Sequence, residues 1–208
     1  KVNESGPFVT AVDQQALVKK ILGLCQPGDW WIFAGSLPPG VASSFYADLI
    51  SVIHQKAAHT VLDTSGEALL LGAHAKPEII KPNAYELEKL SGLPVNNLKE
   101  ITHAIQALSR FGINHIVVSL GKQGALVVFQ KEFWLVKSPI IEEKNPIGAG
   151  DSTVGGLVWA LDQNHDLLEA VRWGVACGAA AASLSGTAVG SYDLVRRLLF
   201  EVTLERIT

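Results

Sequence analysis

The chain has 208 residues, of which 48% are hydrophobic, and its formal net charge is −3. This length and composition allow one sizeable core, so we expect a single domain over residues 1–208. The slight negative charge, without a Lys/Arg cluster, argues against nucleic-acid binding, and no apolar run approaches the roughly 20 residues of a membrane-spanning helix.

The first half of the chain alternates short apolar runs with helix-like patterns. These patterns predict strands at residues 30–34, 60–62 and 78–80, and helices at residues 42–56, 66–72, 97–111 and from 83 onward. Asn83 and Glu86 have the spacing of a capping box at the start of a helix. Strands separated by helices predict βαβ units, with a mostly parallel sheet and helices on both faces.

The second half begins with three extended segments at residues 115–119, 125–129 and 133–136. We expect them to form a local antiparallel edge with a tight turn at residues 130–132. Helices are then predicted from about residue 148 and over residues 166–184 and 191–202.

Residues 145–158 place three small residues and a carboxylate in front of a helical apolar pattern. Apolar residues recur there at i, i+3, i+4 and i+7, so a helix should begin near Gly148 with its first amide donors unbound. The amides of Gly148, Ala149 and Gly150 then form an anion hole for a phosphoryl group, favoured by the helix dipole. Asp151, in the first turn, is the candidate catalytic base for a substrate hydroxyl.

Simpler structural explanations exist for the same segment. Gly-Ala-Gly is also typical of a tight turn, and Asp151 of a residue that favours a helix N-terminus. Two further polar loops, at residues 81–86 and 119–124, follow predicted strands. Because loops at strand ends bind ligands in open α/β sheets, these two loops favour a ligand site.

On these motifs the chain resembles the PfkB-type carbohydrate kinases of the ribokinase superfamily. Residues 145–158 satisfy that family's C-terminal signature, and Asn83 with Glu86 matches its Asn-x-x-Glu hallmark. The likeness is greatest to the branch of 1-phosphofructokinases and tagatose-6-phosphate kinases, through motifs at residues 35–40, 63–68 and 81–83. The resemblance implies a ribokinase-like three-layer α/β sandwich.

The resemblance also implies ATP and Mg²⁺ as cofactors. Asp151 is then the base that accepts the proton of a sugar hydroxyl. Asn83 and Glu86 organise Mg²⁺, in part through its waters, and Lys81 adds positive charge near the nucleotide phosphates. A strand ended by proline and a capped helix explain the same residues without any ligand.

Two more groups of residues match nucleotide-binding positions of similar kinases. Ser119, Gly121 and Gly124 resemble a loop whose small residues let the backbone approach ATP, although a hairpin turn explains them equally well. Val175 and Gly178 match positions that line an adenine pocket, although close helix packing explains the small residues there.

Ser36 resembles a position that faces the phosphosugar, which places it with Asp151 as a substrate-binding residue. Asn3 and Glu4 are further candidates to border the sugar. The resemblance implies phosphorylation of a ketohexose phosphate, with fructose 1-phosphate as the first choice. Tagatose 6-phosphate, fructose 6-phosphate, a nucleoside or vitamin substrate, and a catalytically silent nucleotide-binding fragment remain alternatives.

The chain contains no methionine and begins at Lys1. From this and the resemblance we expect the C-terminal portion of a PfkB-type kinase domain, without most of the N-terminal lid through which a homodimer would form. The two cysteines, Cys25 and Cys177, are far apart in apolar surroundings, so we expect free thiols in a reducing cytoplasm.

Overall fold

The short apolar runs of the first half form parallel strands, as the sequence predicts. The computed structural model describes residues 6–207, and within them β1 (Trp30–Ala34) pairs with β2 (His59–Asp63), which pairs with β3 (Ile79–Ile80). The helices around these strands are α1 (Ala11–Leu24), α2 (Phe45–His54), α3 (Gly66–His74), α4 (Ala84–Ser91) and α5 (Leu98–Ala107), the last followed by a 3-10 turn at Leu108–Phe111.

Strands β2 and β3 are buried on both faces. Leu62, Ile79 and Ile80 are fully buried, which is typical of parallel strands covered on both sides. The carboxyl ends of parallel strands lie at one edge of a sheet, so the ends of β2 and β3 bring Asp63 and Lys81 together there.

Helix α1 was not predicted from the sequence. It begins with a capping box in which the Thr10 hydroxyl accepts a hydrogen bond from the Asp13 amide and the Asp13 carboxylate accepts one from the Thr10 amide. The box uses Asp in place of the usual Glu or Gln, and α1 buries only Ile21, so its apolar residues form no clear helical stripe.

The second part of the chain contains antiparallel strands. In order of pairing they are β4 (His115–Ser119), β5 (Gly124–Phe129), β6 (Glu132–Lys137) and β7 (Thr203–Ile207). The predicted antiparallel edge is confirmed, and Gln130 and Lys131 form its turn with positive φ angles of 51° and 69°. Strand β7 was not predicted.

Three helices complete the second part: α6 (Ala149–Asp162), α7 (Leu167–Ala182) and α8 (Tyr192–Leu199). The predicted last helix was too long, because α8 ends at Leu199 and the chain then pairs with β6 as β7. The chain divides into two compact units, one ending at Asn114 and one beginning at His115. The single domain expected from the sequence stays a prediction.

Helices α6 and α7 approach each other through glycines. A Cβ at Gly156 of α6 would lie 2.8 Å from the Cβ of Cys177, and a Cβ at Gly174 of α7 would lie 2.7 Å from the Thr153 carbonyl oxygen. Both cysteines are free, and burial raises the pKa of the Cys177 thiol, which makes it a neutral packing group. No helix within residues 6–207 has the length and apolar character needed to span a bilayer.

Two neighbouring glycines of α6 provide a test of this packing. We expect Gly156→Ala to lower the free energy of unfolding by about 1–3 kcal/mol, since its methyl group has no room beside Cys177. Gly155 has nothing within 4 Å of its added Cβ, so Gly155→Ala should raise stability by up to about 1 kcal/mol through helix propensity. Urea denaturation measures both, and equal effects of the two variants would contradict the close helix contact.

Candidate active site

The loop before α6 is anchored by the end of α7. The Ala182 carbonyl oxygen accepts hydrogen bonds from the amides of Lys144 (2.8 Å) and Asn145 (3.1 Å). The Asn145 side chain donates to the Gly186 carbonyl oxygen and accepts from the Ile147 amide at 3.1 Å. Asn145 therefore holds the loop from both sides, a role that the sequence did not reveal although the residue stands in the predicted motif.

Helix α6 starts on a glycine in the left-handed region. Gly148 is the N-cap, with φ 83° and ψ −6°, and no side chain of the described residues caps the helix. The first helical hydrogen bond runs from the Ser152 amide to the Gly148 carbonyl oxygen at 2.9 Å. An added Cβ at Gly148 would meet nothing within 4 Å, so space is open at this helix end.

The first-turn amides of α6 are mostly unbound. Within residues 6–207, the amides of Gly148, Gly150 and Asp151 have no hydrogen-bond acceptor, whereas that of Ala149 donates to the Pro146 carbonyl oxygen at 3.2 Å. Unbound donors at a helix N-terminus attract anions. Of the three amides predicted to form the anion hole, those of Gly148 and Gly150 are available here, and the Asp151 amide is available beside them.

Asp151 lies in the first turn of α6 and is exposed to solvent. Within the described residues its carboxylate takes part in no hydrogen bond or ion pair. It is not the N-cap, because Gly148 occupies that position, so a capping hydrogen bond does not explain this carboxylate. Its role as a base stays a prediction.

Asn83 and Glu86 form the predicted capping box at the start of α4. The Asn83 side-chain oxygen accepts from the Glu86 amide, and the Glu86 Oε2 accepts from the Asn83 amide, both at 2.9 Å. The second carboxylate oxygen of Glu86 has no partner among the described residues. No group of three or more His, Cys, Asp or Glu side chains within residues 6–207 is arranged to hold a metal. These donors therefore fit Mg²⁺ only with waters or phosphate oxygens completing its shell.

Lys81 follows β3 and is buried. Its ammonium lies 3.0 Å from Oδ1 of Asp63, and the two side chains are 7% and 16% exposed. The opposite charges largely cancel at a distance, so the pair exerts a weaker field than a lone lysine would. The predicted place of Lys81 near nucleotide phosphates stays a prediction.

Ser36 is exposed in the loop that follows β1. The preceding Gly35 has a φ of 85° and is tied to the end of β2: its amide donates to the Asp63 carbonyl oxygen at 2.9 Å, and its carbonyl accepts from the Thr64 hydroxyl at 2.7 Å. The Ser36 backbone is thus held at the same edge as Asp63. Asn3 and Glu4, the other residues predicted to border the sugar, lie outside the described residues.

Ser119, Gly121 and Gly124 lie in the connection between β4 and β5. The hairpin interpretation is confirmed, since the Leu120 amide donates to the Gly124 carbonyl oxygen at 2.8 Å. Gly124 has a φ of 103°, and a Cβ there would overlap the Val136 carbonyl oxygen. Gly121, with a φ of 57°, faces open space, so ligand access to this loop is unobstructed at that position.

Val175 and Gly178 lie on α7 and are buried. A Cβ at Gly178 would collide with the Thr153 hydroxyl and lie 3.1 Å from the Ala149 carbonyl oxygen of α6. Helix packing therefore accounts for the glycine, because α7 contacts the first turn of α6 at this position. The contact of Val175 and Gly178 with adenine stays a prediction.

Asn83 has a matched control in Asn97, which caps α5 by accepting from the Glu100 amide at 3.0 Å. We expect Asn83→Ala and Asn97→Ala each to lower the free energy of unfolding by about 1 kcal/mol, because each loses its N-cap side chain. Only Asn83→Ala should also weaken MgATP binding, as measured by titration calorimetry. Equal MgATP affinity in both variants would contradict a binding role for Asn83 and show that it only caps α4.

Comparison with known proteins identifies the group to which these features belong. The model of the pfkB family carbohydrate kinases matches residues 5–193. The 1-phosphofructokinase of Escherichia coli (strain K12) is 33% identical over 203 residues, which are 98% of this chain and 65% of that protein. The tagatose-6-phosphate kinase of a Staphylococcus epidermidis strain is 35% identical over 164 residues, or 77% of this chain and 53% of that protein.

Solved structures give the same result for the fold. Phosphofructokinase-2 from Escherichia coli, in complex with potassium, aligns over 95% of this chain and 64% of its own length, with a TM-score of 0.89 and 32% identity. A ribokinase from Arabidopsis thaliana aligns over 94% of this chain and 61% of its own length with a TM-score of 0.70; at 18% identity it shows the fold alone. The predicted ribokinase-like α/β fold is confirmed, and the matched residues span 65% of the E. coli 1-phosphofructokinase, 64% of phosphofructokinase-2 and 61% of the ribokinase.

Proposed function

Since the chain belongs to the pfkB family of carbohydrate kinases, we propose that it takes part in ATP-dependent phosphorylation of a ketohexose phosphate. One observation carries the proposal: within residues 6–207, the amides of Gly148, Gly150 and Asp151 at the start of α6 have no acceptor, and the Asp151 carboxylate is exposed. A helix start with unbound donors and a free carboxylate suits phosphoryl transfer, which depends mainly on positioning and charge stabilisation.

In the proposed reaction, a sugar hydroxyl oxygen forms a bond to the γ-phosphorus of ATP, and the bond from that phosphorus to the β–γ bridging oxygen breaks. Asp151 accepts the hydroxyl proton, and ADP leaves with the electron pair of the broken bond. The unbound amides of Gly148 and Gly150 donate to the equatorial oxygens of the migrating phosphoryl group. Because these donors are fixed by the helix, they need no reorganisation as charge develops.

Mg²⁺, when bound to ATP, neutralises charge on the phosphate oxygens. Asn83 and Glu86 would hold it through its waters, the Glu86 carboxylate using the oxygen that is not engaged in the capping box. Ser119, Gly121, Gly124, Val175 and Gly178 are proposed for the nucleotide. We retain Lys81 as a source of positive charge, reduced by its pair with Asp63.

Fructose 1-phosphate, giving fructose 1,6-bisphosphate, is the proposed substrate, with Ser36 facing it. The choice of fructose 1-phosphate is supported by the 33% identity to 1-phosphofructokinase. Tagatose 6-phosphate is kept as an alternative because a tagatose-6-phosphate kinase is 35% identical over a shorter stretch. Fructose 6-phosphate is the third candidate. The free thiols of Cys25 and Cys177 support a reducing cytoplasmic location.

A catalytically silent nucleotide-binding module is the second candidate. It needs only the nucleotide contacts proposed above, and the residues that match this chain are 65% of the E. coli 1-phosphofructokinase. Water must be excluded for phosphoryl transfer to outcompete ATP hydrolysis, and an incomplete enclosure would fail to exclude it.

Substrate-dependent ADP release separates these candidates. We expect the chain to release ADP from MgATP faster with fructose 1-phosphate than with tagatose 6-phosphate or fructose 6-phosphate, as measured by a coupled assay. ATP binding by calorimetry without ADP release for any of the three sugars would instead establish the silent module.

Asp151 can be tested against Asp193, an acidic residue in the first turn of α8 with no proposed role. We expect Asp151→Asn to slow phosphoryl transfer about 10²- to 10⁴-fold, the range of general base catalysis. Its ATP affinity should be equal or higher, because a negative charge near the phosphates is removed. Asp193→Asn should leave both properties unchanged, and full turnover by Asp151→Asn would show that another group is the base.

A further inference from the structure

The peptide that joins Gly35 to Ser36 is held by hydroxyl groups from two other parts of the chain. The Thr64 hydroxyl donates to the Gly35 carbonyl oxygen at 2.7 Å. The Tyr46 hydroxyl lies 2.8 Å from the Ala34 carbonyl oxygen and 3.3 Å from that of Gly35, so it donates its one proton mainly to Ala34. Two consecutive carbonyl groups, one at the end of β1 and one in the loop that follows, are therefore fixed by side chains.

The two hydroxyls come from elements that pack beside β1. Tyr46 lies in the first turn of α2, and Thr64 directly follows β2, which pairs with β1 in parallel. Thr64 is buried, and within residues 6–207 the Gly35 carbonyl is the one hydrogen-bond partner of its hydroxyl. A buried hydroxyl without a partner is costly, which favours this contact. Burial raises the pKa of the Tyr46 phenol, so this hydroxyl keeps its proton and remains a donor.

A fixed Gly35 carbonyl also fixes the direction of the Ser36 amide. The peptide bond is trans, so the Ser36 N–H points away from the Gly35 carbonyl oxygen and from the Thr64 hydroxyl that binds it. Among the described residues this amide has no acceptor, and Ser36 is exposed. The Ser36 amide is therefore an oriented, unbound donor at the carboxyl end of β1, the edge at which α/β sheets bind ligands.

We propose that Thr64 and Tyr46 are positioning residues for the phosphosugar. Their hydroxyls hold the Gly35–Ser36 peptide so that the Ser36 amide donates to an oxygen of the bound sugar phosphate. This proposal rests on the proposed function, in which Ser36 faces the phosphosugar. A donor that is fixed before binding loses less freedom when the ligand binds. Loss of either hydroxyl should therefore weaken sugar binding and leave the chemical step unchanged.

The test compares variants that lose a hydroxyl at these two positions with matched variants elsewhere. Thr64→Val and Tyr46→Phe remove a hydroxyl and keep nearly the same side-chain shape. Thr60→Val is the control for the threonine, because Thr60 lies near the other end of β2 and its hydroxyl is 3.0 Å from Nε2 of His54. Tyr192→Phe is the control for the tyrosine, since Tyr192 is 58% exposed on α8.

We expect Thr64→Val to raise the KM for fructose 1-phosphate about 2- to 10-fold, the effect of one lost hydrogen bond, with kcat and MgATP affinity unchanged. Tyr46→Phe should raise it less, since its hydroxyl binds mainly to Ala34. Thr64→Ser keeps the hydroxyl and should keep the KM of the unsubstituted chain. Titration of the ¹⁵N-labelled chain with fructose 1-phosphate should shift the Ser36 amide resonance, and Thr64→Val should need a higher sugar concentration than Thr60→Val.

Two outcomes overturn this proposal and leave the proposed function intact. One is an equal KM for fructose 1-phosphate in Thr64→Val and Thr60→Val, and the other is saturable sugar binding that leaves the Ser36 amide resonance unchanged. If the unsubstituted chain neither binds nor phosphorylates any of the three sugar phosphates, both proposals fail. Thermal unfolding checks that the variants are folded. Because Thr64→Val and Thr60→Val each lose a buried hydroxyl, a difference in KM between them is not a general effect of lower stability.

Discussion

The left-handed turn at Gly148 is the constraint on which the candidate site depends. With a φ of 83° and no cap from a described side chain, the chain enters α6 so that three of its first amides lack an acceptor within residues 6–207. A residue with a capping side chain would consume one of these donors, and a Cβ would strain the turn. The proposed anion binding by this loop therefore depends on backbone donors that have no acceptor among the described residues. Asn145 and the glycine contacts between α6 and α7 keep that backbone in place.

Several motif residues serve local structure and are site candidates at the same time. Asn83 and Glu86 cap α4, Gly124 fits a hairpin that leaves no room for a Cβ, and Gly178 lets α7 approach α6. Such contacts explain why these residue types stand there, yet they do not exclude ligand binding, because a cap or a close helix contact also fixes a binding group in position. The structural role and the binding role are distinguished by comparing two variants that lose the same structural contact, only one of which lies at a candidate site residue.

The elements predictable from sequence are those with local signals. The apolar run of β1, the capping box at Asn83 and the helix start at Gly148 each depend on neighbouring residues, and the structure contains all three. Helix α1 was missed because apolar residues on several of its faces blur the periodicity. Strand β7 was missed because its pairing with β6 joins residues nearly 70 apart in sequence. Two contacts depend on geometry that no local pattern encodes. They are the ion pair of Lys81 with Asp63 and the hydrogen bond from the Ala149 amide to the Pro146 carbonyl oxygen.

The most direct test of the account follows the amides at the start of α6 in a ¹⁵N-labelled sample titrated with MgATP. We expect the Gly148, Gly150 and Asp151 amide resonances to shift together with one saturation curve, because these amides donate hydrogen bonds to the phosphate oxygens. The Ala149 amide, already bound to Pro146, should shift less. Saturable MgATP binding that moves other resonances and leaves these three unchanged would contradict the central claim that the Gly148 turn forms the phosphoryl site.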